Sequence, residues 1–110
     1  MSSAAEPSAV IVLTTVGADA DAAELARMLV EQRLVACVNI IAGVTSIYRW
    51  KEGVEQDDEQ MLVIKTTTDL VEALQARLRE LHPYELPEFV VIQVTGGSDA
   101  YLSWLCGSVG

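Results

Sequence analysis

The sequence has few basic residues, one histidine and two cysteines. Its 110 residues carry seven lysines and arginines against sixteen aspartates and glutamates, which gives a formal net charge of −9. A surface this acidic repels nucleic-acid phosphates and anionic lipid headgroups, so the composition argues against both as partners. The length fits one domain, and 51% hydrophobic residues are enough to build a core.

Long apolar runs are also absent. Wholly apolar stretches such as residues 10–13 and 61–64 have the length of strands, whereas a membrane-spanning helix needs roughly 20 such residues. Residues 1–8 are small and polar and lack the basic start of a signal peptide. We therefore predict a disordered lead-in over residues 1–8, one domain over residues 9–110, no membrane insertion and a cytoplasmic location with reduced thiols.

The hydrophobic pattern predicts four strands and three helices. Residues 9–16, 36–50, 55–67 and 88–95 have the β-branched, apolar composition of strands. Apolar residues recur at helical spacing over 21–33 and 69–81. Each of these segments begins with the spacing of a capping box, Asp21 with Glu24 and Asp69 with Glu72. Residues 99–106 are predicted to form a short closing helix. Right-handed crossovers in a β-α-β-β-α-β order place two helices on one face of an antiparallel sheet, an α+β ferredoxin-like sandwich.

The second face of this sheet has only the closing helix to cover it. The strand segments 10–13 and 61–64 supply apolar side chains to both faces. A large apolar face is rarely left in water, and burial against further copies of the chain is the simplest solution. The pattern therefore predicts a homo-oligomer.

His82 is the only histidine, and it lies with Tyr84 on a segment that contains two prolines. A single imidazole does not make a metal site, so a metal role needs ligands from other segments or subunits. The alternative is a helix C-terminal residue, where partial positive charge is favoured.

Lys65 ends a very apolar strand, where it either pairs with a carboxylate or binds an anion. Glu59 lies six residues earlier and on the same strand face, too far for direct contact within one continuous strand.

The remaining polar features indicate little chemistry of their own. The acidic run at residues 55–59 lacks the glycine-punctuated spacing of a calcium loop and reads as a solvated strand entry. Cys37 is interpreted as a small packing residue, with soft-metal binding as the alternative. The sequence has no phosphate-binding glycine loop and no nucleophile–histidine–acid order, so we do not expect an enzyme.

Five motifs in order resemble the CutA, or divalent-cation-tolerance, family, and the resemblance covers about residues 10–105. The motifs are Ala36-Cys-Val-Asn-Ile40, Ser46-Ile-Tyr-Arg-Trp50, Met61-Leu-Val-Ile-Lys-Thr66, His82-Pro-Tyr-Glu-Leu-Pro-Glu88 and Tyr101-Leu-Ser-Trp104.

The resemblance implies a homotrimer built like the PII signalling proteins, with a ligand site in a cleft between subunits. The residues that it carries over to this cleft are Asn39, Trp50, Glu59, Lys65, His82, Tyr84 and Trp104. The expected ligand is a small anionic or amphipathic molecule. Lys65 and His82 would supply positive or donor groups, Tyr84 a hydroxyl and Trp50 a stacking face. Glu59 would orient Lys65 from a neighbouring strand or subunit.

The family name implies a role in tolerance of copper and other divalent cations, so copper is the candidate metal. A copper-binding member has cysteine where this chain has Thr14, and two successive histidines where it has Leu81 and His82. Two other functions remain open. One is a copper or zinc carrier that uses His82 with Cys37 and carboxylates, and the other is a PII-like regulator that docks on a partner protein through residues 49–55.

Overall fold

A computed structural model describes residues 8–82, 84 and 86–110 of the chain. All of the predicted lead-in except Ser8 lies outside these residues. The elements in chain order are β1 (Ala9–Gly17), α1 (Ala22–Glu31), β2 (Cys37–Trp50), β3 (Gly53–Thr67), α2 (Val71–Leu81), β4 (Val90–Gln93) and α3 (Asp99–Gly107). No helix among the described residues is both long and apolar enough to span a membrane.

The four strands form one antiparallel sheet in the order β2-β3-β1-β4. The first strand therefore lies inside the sheet, between strands that come later in the chain. This order is that of the ferredoxin-like sandwich, and the predicted fold is confirmed.

One face of the sheet packs against α1 and α2. Alternate residues of the two central strands, such as Val10 and Val12 on β1 and Leu62 and Ile64 on β3, are fully buried there. Leucines of the two helices complete the same cluster. Burial of this face is the main source of the stability of the protomer, because the free energy scales with the apolar area removed from water.

The opposite face is open except at one end. There Leu105 of α3 packs against Ala9 and Ala36, which covers the end of the sheet where β1 begins. Further along, large apolar side chains remain exposed, among them Ile41 on β2 and Ile92 on β4. The structure thus has the uncovered apolar face that the sequence pattern indicates.

The hairpin of β2 and β3 extends beyond the rest of the sheet. β1 pairs with β3 only over Glu59–Thr67, so residues 44–50 and 53–58 form a two-stranded ribbon with no third strand beside it. A register shift between Ile41 and Val44 marks where the ribbon begins, and Gly43 has the positive φ of 75° that this bulge requires. The molecule is accordingly elongated, with extents of 50 × 27 × 24 Å.

Two boundary predictions were wrong in detail. The Asp21 side chain does accept a hydrogen bond from the Glu24 amide at the start of α1, but α2 begins after a 3-10 turn at Thr68–Leu70 and has no side-chain cap. Asp69 is instead bonded to the hydroxyl of Thr67. β4 has four residues rather than eight, because only Val90–Gln93 pairs with β1.

Candidate functional site

Glu59 and Lys65 lie on the same strand, near opposite ends of the part of β3 that pairs with β1. Glu59 is opposite Gly17 and Val44, whereas Lys65 is opposite Ile11 and Cys37. Six residues of strand separate their Cα atoms by roughly 20 Å. Within one protomer, Glu59 therefore does not orient Lys65, and an interaction between them requires a second subunit.

The carboxylate of Glu59 is buried with a tyrosine as its donor. Only 6% of the residue is exposed, and the Tyr84 hydroxyl donates a hydrogen bond of 2.7 Å to Oε2. Desolvation, followed by this bond and the charge of Glu59, raises the pKa of Tyr84 well above the usual value of 10. The phenol stays protonated at physiological pH, so it remains a donor for this carboxylate.

His82 links the segment after α2 to β1. Its Nε2 lies 2.6 Å from the carbonyl oxygen of Thr15, and its Nδ1 accepts from the backbone N–H of Tyr84 at 3.2 Å. A carbonyl can only accept, so Nε2 carries the proton and the ring is the neutral Nε2–H tautomer. The ring is also packed on Tyr84, with centroids 4.6 Å apart. Both nitrogens of this buried side chain are used, which favours the structural interpretation.

An open groove of about 1270 Å³ runs between the ribbon and this segment. Tyr84, Glu59 and Trp50 all line it, so three of the predicted site residues share one cavity. Tyr48 and Asp57 line it as well, and their side chains are hydrogen bonded. That bond and the nearby carboxylates raise the pKa of Tyr48 to about 12. The groove is acidic and aromatic.

Lys65 belongs to a second cluster, below α3. Its Nζ lies 3.5 Å from the hydroxyl of Tyr101 and 5.7 Å from the centre of that ring, a cation–π distance. The Tyr101 ring in turn packs on Trp104 at 5.3 Å. Cys37 is opposite Lys65 on β2, and its thiol lies 3.7 Å from the Asn39 side chain.

The seven predicted site residues therefore form two sets. We call Trp50, Glu59, His82 and Tyr84 the acidic set, and Asn39, Lys65 and Trp104 the basic set. Three members of the acidic set line the groove, and the fourth, His82, is hydrogen bonded to the Tyr84 backbone. The basic set gathers at the α3 end of the sheet. Each set has one kind of charge.

Three contributing residues were not predicted from the sequence as parts of the site. Tyr101 contacts Lys65 with its ring, and Tyr48 and Thr15 contribute a hydroxyl and a backbone carbonyl. The spacing of Tyr101 and Trp104, one helical turn apart, is a signal that could have identified the α3 aromatic pair. A backbone carbonyl carries no sequence signal.

The predicted metal ligands are far apart. Cys37 is opposite Lys65, at the end of β3 remote from His82. Among the residues that the structure describes, no group of three histidine, cysteine, aspartate or glutamate side chains is placed to hold a metal ion. Thr14, which the resemblance alone matches to a metal-ligand position, has a buried hydroxyl on the helix side of the sheet.

Comparison with known proteins gives one consistent result. The family model described as "CutA1 divalent ion tolerance protein" matches residues 10–108. The divalent-cation tolerance protein CutA of Thermus thermophilus is 46% identical over 100 residues, which cover 91% of this chain and 97% of that protein.

Solved structures agree with this fold. The Cut A1 structure from Thermus thermophilus has a TM-score of 0.89 at 45% identity and covers 93% of this chain and 99% of its own. A structure described as the PII-like protein CutA from Nostoc sp. PCC 7120 in apo form has a TM-score of 0.84 at 42% identity, covering 92% and 97%.

Proposed function

The chain belongs to the CutA1 divalent ion tolerance family, and from this membership we propose that it acts as a non-catalytic, cytoplasmic homotrimer in the response to divalent metal ions. Each cleft between subunits binds one small anionic or amphipathic ligand. The acidic set of one subunit and the basic set of its neighbour form the two walls of the cleft.

The division of the site residues into two sets is the observation that carries this proposal. Lys65 and Glu59 lie roughly 20 Å apart on one strand, so a ligand of modest size cannot touch both within a protomer. The open apolar face of the sheet lies between the two sets, and its exposed Ile41 and Ile92 are suited to burial against another subunit. In a cyclic trimer, the acidic set of each subunit would face the basic set of the next.

The roles in the cleft are more limited than the sequence alone implied. Lys65 supplies the positive charge and Trp50 a stacking surface, while Tyr84 holds the carboxylate of Glu59 in place. His82 positions Tyr84 through the backbone, since both of its ring nitrogens are already bonded. The ligand would thus contact an anion-binding lysine from one chain and aromatic groups from the other.

Native mass spectrometry of protein purified from its own cells tests this arrangement. The measurement is the extra mass that a retained small molecule adds to the trimer. Lys65→Met should lose the retained mass while the trimer persists. Arg77→Gln, a charge change in an α2 ion pair, is the matched control. Loss of the trimer in Lys65→Met would instead favour a structural role for this lysine.

Co-expression of two defective variants tests the sharing of the site. Homotrimers of Lys65→Met or of Trp50→Ala have three defective clefts each. A mixed trimer has one cleft in which both residues are intact, if each cleft takes Lys65 from one subunit and Trp50 from the next. One retained ligand per mixed trimer supports the shared site, whereas none contradicts it.

The exposed ribbon supports a second candidate, a PII-like regulator that docks on a partner protein. Ile47 and Val54 are 66% and 67% exposed, which is unusual for apolar residues on a strand pair. A pull-down with the wild-type trimer and an Ile47→Ser/Val54→Ser variant would test this. A partner lost in the variant, with the trimer retained, supports docking, and equal recovery excludes the ribbon as the docking surface.

A further inference from the structure

A second cavity, of about 380 Å³, lies on the helix side of the sheet. It occupies the corner between the C-terminal half of α2, the end of β1 and the segment that leads into β4. The residues that matter to its chemistry are Thr14, Gln75, Leu78, Arg79, Glu88 and Phe89. Its size is that of a pocket for a small organic molecule. The segment that holds Tyr84 and Glu88 borders both this cavity and the groove. Of the residues named, none except Tyr84 belongs to either set of the proposed site.

Thr14 gives the cavity an unsatisfied polar group. The pairing of β1 with β4 ends at Leu13 and Val90. From Thr14 onward, β1 therefore has no strand from the described part of the chain along the edge where β4 would lie. Thr14 is 1% exposed, and its hydroxyl has no hydrogen-bond partner among the described residues. A buried hydroxyl without a partner is costly, and a bound polar molecule would remove that cost.

Two walls of the cavity carry opposite charges. Arg79 lies in the last turn of α2, and Glu88 lies in the segment before β4. They are not paired with each other, since the ion pair found within the described ranges joins Arg77 and Glu80. Leu78 and Phe89 add apolar surface between these polar groups. The cavity therefore presents a cation, an anion, a hydroxyl and an apolar wall together.

We infer that this cavity binds a zwitterionic α-amino acid with an apolar side chain. The ligand carboxylate would pair with the Arg79 guanidinium, whose two parallel N–H groups suit a carboxylate. The ammonium would pair with Glu88, and the side chain would lie on Leu78 and Phe89. Thr14 would bond to a polar group of the ligand. An ion of a single charge would leave either Arg79 or Glu88 without a partner.

A thermal-shift screen of the wild-type assembly with the standard L-amino acids, one at a time at millimolar concentration, tests the inference. We expect the apolar members, such as leucine and methionine, to raise the melting temperature. Isothermal titration with L-leucine, N-acetyl-L-leucine and L-leucinamide then separates the two charges. Each derivative lacks one charge and should bind at least ten-fold more weakly than L-leucine.

One variant in the cavity and two control variants outside it locate the site. Arg79→Gln should reduce L-leucine affinity at least ten-fold, while Arg77→Gln removes the same charge from the same helix outside the cavity and should leave it unchanged. Lys65→Met should also leave it unchanged, which separates this cavity from the intersubunit cleft.

The inference is overturned if no amino acid stabilises the protein, if both derivatives bind as well as leucine, or if Arg79→Gln and Arg77→Gln behave alike.

Discussion

Tyr84 and Glu59 are joined by a hydrogen bond of 2.7 Å, from the phenol hydroxyl to Oε2, that ties the segment after α2 to β3. Tyr84→Phe removes the donor and leaves the carboxylate of Glu59 buried without it. We expect the free energy of unfolding to fall by about 1–3 kcal/mol. Urea unfolding at a fixed protein concentration measures this change.

A double-mutant cycle provides the control for that prediction. Glu59→Leu combined with Tyr84→Phe replaces both polar partners, so the double variant should be more stable than the sum of the single changes predicts. Tyr48→Phe loses a bond of the same type in an exposed pair and should change stability much less. Additive single effects would mean that the Tyr84–Glu59 bond contributes little.

The two raised tyrosine pKa values predict a loss of stability in alkali. The folded protein holds the pKa of Tyr48 at about 12 and raises that of Tyr84 further, whereas both are near 10 in an unfolded chain. The unfolded chain loses these protons first, so their contribution is complete below pH 10 and declines as the pH rises above it. Urea unfolding at a series of alkaline pH values should show this decline.

Phenolate absorbance assigns the Tyr48 value. Subtracting the titration of Tyr48→Phe from that of the wild type should give a midpoint near 12. Asp57→Ala removes the acceptor that is the largest cause of the shift, so the midpoint should move toward 10. A midpoint unaffected by Asp57→Ala would exclude the hydrogen bond as its cause.

His82→Ala should alter stability rather than metal binding. The ring donates to the Thr15 carbonyl and accepts from the Tyr84 amide, so its loss should cost about 1–3 kcal/mol. Isothermal titration with Cu²⁺ or Zn²⁺ at neutral pH should give the same heats for wild type, His82→Ala and Cys37→Ser. A metal affinity that falls in both variants would restore the copper or zinc carrier hypothesis.

Arg33 holds the end of α3, and its removal should loosen that helix. Its guanidinium donates to the carbonyl oxygens of Gly110 at 2.8 Å and Gly107 at 3.2 Å. Arg33→Ala should lower the free energy of unfolding by about 1 kcal/mol, a modest value because these bonds are exposed. Hydrogen exchange should increase within Asp99–Gly107.

Arg27 supplies the comparison for that experiment, because it is an exposed cation on α1. Arg27→Ala should leave exchange in α3 unchanged. Equal effects of the two substitutions would mean that net charge, rather than the bonds of Arg33, determines the exchange rate.

The order of the elements and the fold could be predicted from the sequence because hydrophobic periodicity reports which face of each element is buried. β4 was predicted too long, since Phe89 and Val94 on either side of it are apolar although neither belongs to the strand. Asp69 was predicted as a cap because its spacing to Glu72 is correct, but Thr67 competes for its carboxylate. Local spacing cannot show which of two neighbouring groups a side chain will bind.

The arrangement of the site could not be predicted from composition, because it depends on how the strands of the sheet pair. The resemblance placed Glu59 and Lys65 in one cleft, and their strand pairing shows that a single protomer separates them. The role of His82 was equally hidden, because one of its partners is a backbone carbonyl 67 residues away. The open apolar face, by contrast, was predictable from the strand composition alone.

The position of β1 inside the sheet also affects how the chain is made. Its β-prone segment emerges from the ribosome before the other strands, yet its partner β3 ends at Thr67 and its other partner β4 ends at Gln93. At about 5–20 residues per second, β1 waits several seconds for both neighbours. During synthesis this apolar segment is therefore exposed without its strand partners, although after folding it lies between two neighbours in the sheet.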